Sequence, residues 1–159
     1  MKTIIYKFWS KLLDIIGDIK LYRFPMFVVY DPTFFEMTGE KISKAISVME
    51  PGDIVLRGYN MYLDSHFIDG DYSHGSICVS KDSIVHAISP DVCSIHPIEF
   101  MECDRIAILR PKDKSRIANA LTTANELIGT PYDFNFNSGD QQEVYCFELV
   151  AKCYPEMDI

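Results

Sequence analysis

The sequence predicts a single α+β domain in which helices and strands are segregated along the chain. Three observations predict it. Helical periodicity fills parts of the first fifty residues and returns after Pro111, while the apolar runs between are short and β-rich. The 159 residues suffice for one core and leave little room for a second. With 48% hydrophobic and 13% aromatic residues, the chain has enough apolar surface to fold without metal or disulfide staples.

The first element is a helix in "MKTIIYKFWSKLLDIIGDIKLYR", where Ile5, Phe8, Trp9, Leu12, Ile16 and Ile19 share a face at helical spacing. Lys7, Lys11, Asp14 and Asp18 interrupt the apolar run, so the segment is too charged to cross a bilayer or to serve as a signal peptide. A cytoplasmic location is the expectation. This helix is expected to pack on the domain through Trp9, Leu12 and Ile16, with weak contact to a membrane or a partner as the lesser alternative. A second helix, carrying Ile42, Ala45, Ile46 and Met49, leads to the turn signal "PGD". Residues 1–50 thus form an N-terminal helical extension, and 51–159 the remaining domain.

Residues 53–57, 74–80, 83–88 and 105–110 read as strands, with 92–96 a weaker one. Beyond Pro111 the period changes. Ile117, Ala120, Leu121, Ala124, Leu127 and Ile128 mark a helix stopped by Gly129, with Pro131 just after. The loop "TPYDFNFNSGDQQE" follows, then a last helix marked by Cys146, Leu149, Val150 and Cys153.

A formal charge of −8, from 15 basic and 23 acidic residues, leaves no basic stripe for phosphates and excludes a nucleic-acid partner. Five cysteines, at 78, 93, 103, 146 and 153, form no CxxC pair and are odd in number, which fits neither a zinc ribbon nor a secreted disulfide framework. Gly-rich phosphate loops, G-x-S-x-G and H-E-x-x-H are absent. Thiols and imidazoles remain as carriers of chemistry.

A nucleophilic cysteine needs a stabilised thiolate, which the N–H groups and dipole of a helix start can supply. Cys146 alone lies near such a start, and the other four cysteines read as packing residues. Cys146 also continues the apolar stripe of Leu149 and Val150, so packing and catalysis are both open. A helix capped by Asp140 with Glu143 at the third position would put the thiol almost two turns inside, whereas a start near Tyr145 would expose it at the end.

Strand alternation puts His74, Ser76 and Cys78 on one face, with Gly75 beside His74 permitting close approach of another element. Ile84, His86 and Ile88 share a face of the next strand. A two-residue turn at Lys81–Asp82 pairs 77 with 86 and separates the imidazoles; a three-residue loop, Ser80 to Asp82, pairs 76 with 86 and brings them together. Lys-Asp lacks the Gly or Asn favoured by tight primed turns, so the longer loop is expected. His66 and His96 read as structural or exposed.

The strings "PGDIVL", "YSHGSICV", "IVHAIS" with "DVCSIHPIEF", "GTPYDF" and "YCFELV" occur in an order that resembles the permuted papain-like hydrolases. This NlpC-like group includes YiiX-like amidases, poxvirus relatives and lecithin retinol acyltransferases, and the likeness covers roughly residues 51–154. It implies a circularly permuted papain-like fold, an antiparallel sheet packed against helices. It also implies a thiol hydrolase or amidase that cleaves a peptide-type amide or a lipid acyl bond through a cysteine acyl-enzyme. Cys146 would be the nucleophile, His74 the general base and His86 the residue that orients it, a position where YiiX-like relatives more often carry Glu. Tyr132 and Tyr145 are candidates to line the substrate pocket. No metal or cofactor is called for. The alternative is a non-catalytic binding or interaction protein that retains the cleft.

Overall fold

The computed structural model describes residues 35–60, 70–136 and 142–155, the backbone of 19–23 and 26–30, and the isolated positions Trp9, Lys11, Leu12 and Ile15. Two strands come first, β1 (Ile19–Arg23) and β2 (Met26–Tyr30), paired antiparallel with Ile19 opposite Tyr30. Helical periodicity led to a different expectation for Ile19, which opens a strand instead of closing a helix. The hairpin follows from the residues themselves: β-branched and aromatic side chains dominate "MFVVY", and Pro25 at the connection cannot continue a helix. Upstream, Trp9, Lys11, Leu12 and Ile15 are helical. Trp9 is 55% exposed, against the expectation that it packs on the domain, while Ile5, Phe8, Ile16 and His66 lie outside the described residues.

Helix α1 (Gly39–Val48) is capped by Thr38, whose side chain accepts from the Lys41 N–H. It leads into the turn before β3 (Ile54–Gly58), where Gly52 has φ +91 and Tyr154 donates its hydroxyl to the Gly52 carbonyl at 2.6 Å. The carboxylate of Asp53, 1% exposed, accepts from the Glu50 N–H and takes both Nε and Nη2 of Arg110, at 2.9 and 2.8 Å. This fork joins the start of β3 to the residue after β7.

The strands β4 (His74–Ser80), β5 (Ser83–Ile88), β6 (Asp91–Ile95) and β7 (Arg105–Leu109) complete a five-stranded antiparallel sheet in the order β6-β5-β4-β3-β7. The weak signal at 92–96 is thus a full strand. A four-residue helix, α2 (Pro97–Phe100), follows β6. Its N-cap is His96, whose Nδ1 accepts from the Ile98 N–H, the structural role expected of that histidine. After β7 a 3₁₀ turn (Lys114–Arg116) opens α3 (Ile117–Glu126), and α4 (Cys146–Cys153) ends the described chain's regular structure.

Two apolar layers sandwich the sheet. On one face Ile54, Ile77, Val85, Ala87 and Val92 meet Ala120, Ala124, Leu149, Val150, Cys153 and Tyr154 of α3, α4 and the residue after it. On the other, Val55, Cys78 and Ile84 meet Met49, Phe100 and Met101, with Ile42, Ala45 and Ile46 of α1 packed alongside. Ile128, assigned to the buried face of α3 by periodicity, instead lies beyond its last turn and is exposed. Among the described residues no helix is long and apolar enough to cross a membrane.

Candidate active site

The β4–β5 register decides whether the two imidazoles meet. Ser80 pairs with Ser83 across a two-residue Lys81–Asp82 tip, the tight turn that the sequence argued against. That turn alone would send His74 and His86 to opposite faces. Val79 then bulges out of the ladder, because Cys78 pairs with Ile84, and the shift of one residue sets Ser76 opposite His86. The imidazoles therefore share a face, as expected, but a bulge does the work assigned to a longer loop.

Nε2 of His74 lies 3.0 Å from Nδ1 of His86, with the rings edge to face at a centroid separation of 5.2 Å. At the far side of His86, Nε2 lies 3.4 Å from Cys93 Sγ. Phe100 closes the pair from α2, its ring centroid 5.9 Å from that of His74 and 5.7 Å from that of His86. Burial, the nearby Arg57 charge and the neighbouring ring hold His74 well below its ordinary range. Burial and Arg57 bring His86 down to about 4. Both imidazoles are neutral at neutral pH. With one proton each, a donating Nε2–H on His74 requires Nδ1 of His86 to accept, and the Nε2–H of His86 then points at the Cys93 sulfur.

Helix α4 starts at Cys146, with Tyr145 as its N-cap, and so takes the later of the two starts the sequence allowed. It packs closely on β4: a Cβ placed on Gly75 would come within 3.1 Å of Val150 and 3.3 Å of Phe147. That approach brings the Cys146 thiol to the backbone on either side of His74. The thiol faces the Ser73 carbonyl at 4.0 Å, while the N–H groups of Gly75, Phe147 and Cys146 itself turn towards the sulfur. No hydrogen bond joins the thiol to the imidazole; such contacts are often loose without substrate. Burial raises the thiol pKa and those N–H groups, together with the Arg57 charge, oppose the rise. Cys153, with burial alone acting on it, is pushed up to about 12.

Tyr145 precedes the thiol, its ring 5.5 Å from that of Phe136. Tyr132 forms an isolated bridge with Val144, two residues before the thiol, and stacks edge to face on Phe134 at 4.9 Å. Both candidate lining residues thus belong to the segments that bracket Cys146. Among the described residues no group of three or more His, Cys, Asp or Glu side chains is arranged to hold a metal ion.

Three neighbours escaped the sequence reading. Arg57 pairs with His74 across β3 and β4, which turns both side chains to one face. Phe100 supplies the apolar wall, and Cys93, read as packing, contacts His86. The strand periodicity of "DIVLRG" contained the face of Arg57, but the partner strand lies beyond a long connection that carries no register signal.

The sequence model of a family described as "Permuted papain-like amidase enzyme, YaeF/YiiX, C92 family" matches residues 48–159. Among solved structures, the crystal structure of metalloprotein yiiX from Escherichia coli O157:H7 is similar, with a TM-score of 0.56 and 22% identity over 66% of this chain and 64% of that one. The likeness therefore spans less than two thirds of that protein's length, and it is one of fold. No curated protein matches the chain.

Proposed function

The chain belongs to the permuted papain-like amidase family of the YaeF/YiiX type, and from that premise we propose that it is a thiol amidase working through Cys146, His74 and His86. The observation that carries this reading is the 3.0 Å contact between the two imidazoles at the start of β4, where the first residue of α4 delivers its thiol.

In the reaction, Nδ1 of His74 takes the thiol proton and the sulfur attacks the carbonyl carbon of the amide. The oxyanion forms beside the Cys146 N–H, a donor fixed at the helix start and in place before the charge develops. When the C–N bond breaks, the imidazolium returns the proton to the leaving amine, and a thioester remains. Water, deprotonated by the same nitrogen, then attacks the thioester, the sulfur leaves and regains its proton, and the acid is released. His86 accepts from the Nε2–H of His74 throughout, which fixes the tautomer that leaves Nδ1 free to act as base. Tyr132 and Tyr145 line the approach to the thiol. A lipid acyl bond suits the same chemistry, since an alkoxide leaves more readily than an amine.

Purified protein offered muropeptides and acylated lipids, with products followed by mass spectrometry, tests this assignment. Turnover of one class, abolished in Cys146→Ala, is the expected result. Turnover that survives Cys146→Ala would remove Cys146 from the chemistry.

A further inference from the structure

We propose that Arg57 is a carboxylate-recognition residue of this cleft, so that the preferred substrates are amides with a free carboxylate close to the scissile bond. The inference rests on Cys146 being the nucleophile.

The guanidinium is held in place by the protein but, among the described residues, is left without an anion. It stacks on Phe100 at 4.7 Å from the ring centroid and lies 5.6 Å from the Tyr59 ring. Its Nη1 donates to the Phe100 carbonyl at 3.3 Å. Nε is buried and has no hydrogen-bond partner among the described residues. A buried donor left unmade is costly, and its retention next to a reactive cluster singles Arg57 out. The other arginines with described side chains behave differently: Arg105 holds Asp71, Arg110 holds Asp53 and Glu50, and Arg116 holds Asp113. Among the described residues Arg57 faces no carboxylate, in a chain whose acidic groups outnumber its basic ones by 23 to 15.

Its position suits a substrate group. Arg57 stands directly opposite His74 in the sheet, and the Ser73 N–H donates to the Arg57 carbonyl while the Ser73 carbonyl faces the thiol. The charge of Arg57 is felt at His74, His86 and Cys146 alike. A guanidinium carries a permanent positive charge that matches a carboxylate, and stacking on Phe100 limits the entropy lost when one binds. The oxyanion of the reaction has its own donor at the start of α4, which leaves Arg57 for a permanent negative charge on the substrate.

Alkylation of Cys146 by iodoacetate and by iodoacetamide, quantified by peptide mass spectrometry, separates this proposal from the one beneath it. Both reagents attack the same sulfur, so the ratio of their rates cancels the thiolate fraction and any effect of His74 on it. Wild-type protein should react at Cys146 severalfold faster with iodoacetate, reversing the preference of free cysteine. Arg57→Gln should return the ratio to that of free cysteine, and Arg57→Lys, which keeps charge without the fork, should fall between. N-acetylglycine, but not its amide, should slow the iodoacetamide reaction of the wild type, a readout that needs no variant to fold. A wild-type ratio equal to that of free cysteine, or one unchanged in a folded Arg57→Gln, overturns the role of Arg57 alone. A Cys146 inert to both reagents overturns the nucleophile as well.

Discussion

Cys146 and Cys153 are equally hidden, each 5% exposed, and only their neighbours tell them apart. Cys146 meets backbone N–H groups at a helix start; Cys153 lies among Ile77, Val85 and Leu149 in the apolar layer. Cys146→Ala should therefore abolish turnover with little change in Tm, whereas Cys153→Ala should keep activity and lose about 1 kcal/mol of stability, the scale of one buried methylene with its cavity. Calorimetry and an amidase assay on the two variants check the contrast, and reversed results would exchange the roles. His86 offers a pH-dependent test. Its pKa is about 4 in the folded protein against an ordinary 6.5, so between those values the unfolded chain binds more protons. Stability must then fall as pH drops from about 6.5 towards 4, by roughly 3 kcal/mol from this group if the shift is fully expressed. Urea titrations across that window should show the slope, and His86→Gln should make it shallower, leaving the part that His74, also held below its ordinary range, contributes in the same direction. In turnover, His86→Ala should cost less than Cys146→Ala, and His86→Glu, the commoner residue of the YiiX-like resemblance, should retain activity if the carboxylate can accept the Nε2–H of His74. The face each histidine takes within its own strand was legible because alternation along a strand has a fixed period of two, whereas their meeting depended on the register between the strands. Arg57 and Cys93 were not, because their significance depends on which strand lies beside them.

At the scale of the element, the bulge at Val79 carries the site. A tip of two residues and a ladder without the bulge would pair 77 with 86; the extra residue restores 76 opposite 86 and turns both histidines to the Phe100 side. Replacing Lys81–Asp82 by Asn-Gly, the pair suited to a primed turn, should leave turnover unchanged and add a few tenths of a kcal/mol in denaturant titration. Deleting Val79 should keep both the hairpin tip and turnover, since it removes only the extra residue and leaves Cys78 opposite Ile84 and Ser76 opposite His86. Turnover lost in a folded deletion variant would mean that the bulge itself, and not only the register it allows, shapes the site. Sequence reasoning reached the right register through the wrong turn: the absence of Gly at 81–82 spoke against a tight turn, and a bulge has no local signature of its own at Cys78-Val79-Ser80. The start of α4 shows the converse, since one of two capping alternatives was written in the residues and the tertiary contact with Gly75 accompanies the later one.

Across the whole molecule, an α+β domain was legible from the order of short apolar runs and periodic segments, and the family resemblance implied an antiparallel sheet packed against helices; that helices cover both faces of it was not legible. The fork of Arg110 on Asp53, which joins the neighbouring strands β3 and β7 at one edge of the sheet, was not legible either, because a charge pair 57 residues apart leaves no trace in either local pattern. Nor was the β1–β2 hairpin, where helical spacing and β-propensity compete over the same residues and Pro25 settles the outcome. That hairpin changes the expectation for what precedes it. A helix ending before Ile19 is shorter than the stripe from Ile5 to Ile19 implied, and of the docking residues expected on it Trp9 is 55% exposed and Leu12 half-buried, with Ile16 outside the described residues. Trp9 is the chain's single tryptophan, so its fluorescence reports on this one position without labelling. Emission should be red-shifted and readily quenched by acrylamide in the native protein, with little change on unfolding. Anionic vesicles should leave it unaltered, because a net charge of −8 opposes attraction to an anionic surface and the helix face offers few cations to offset it. A blue-shifted, unquenched emission in buffer would restore docking on the domain through Trp9, and a blue shift only with vesicles would assign the helix to a lipid surface.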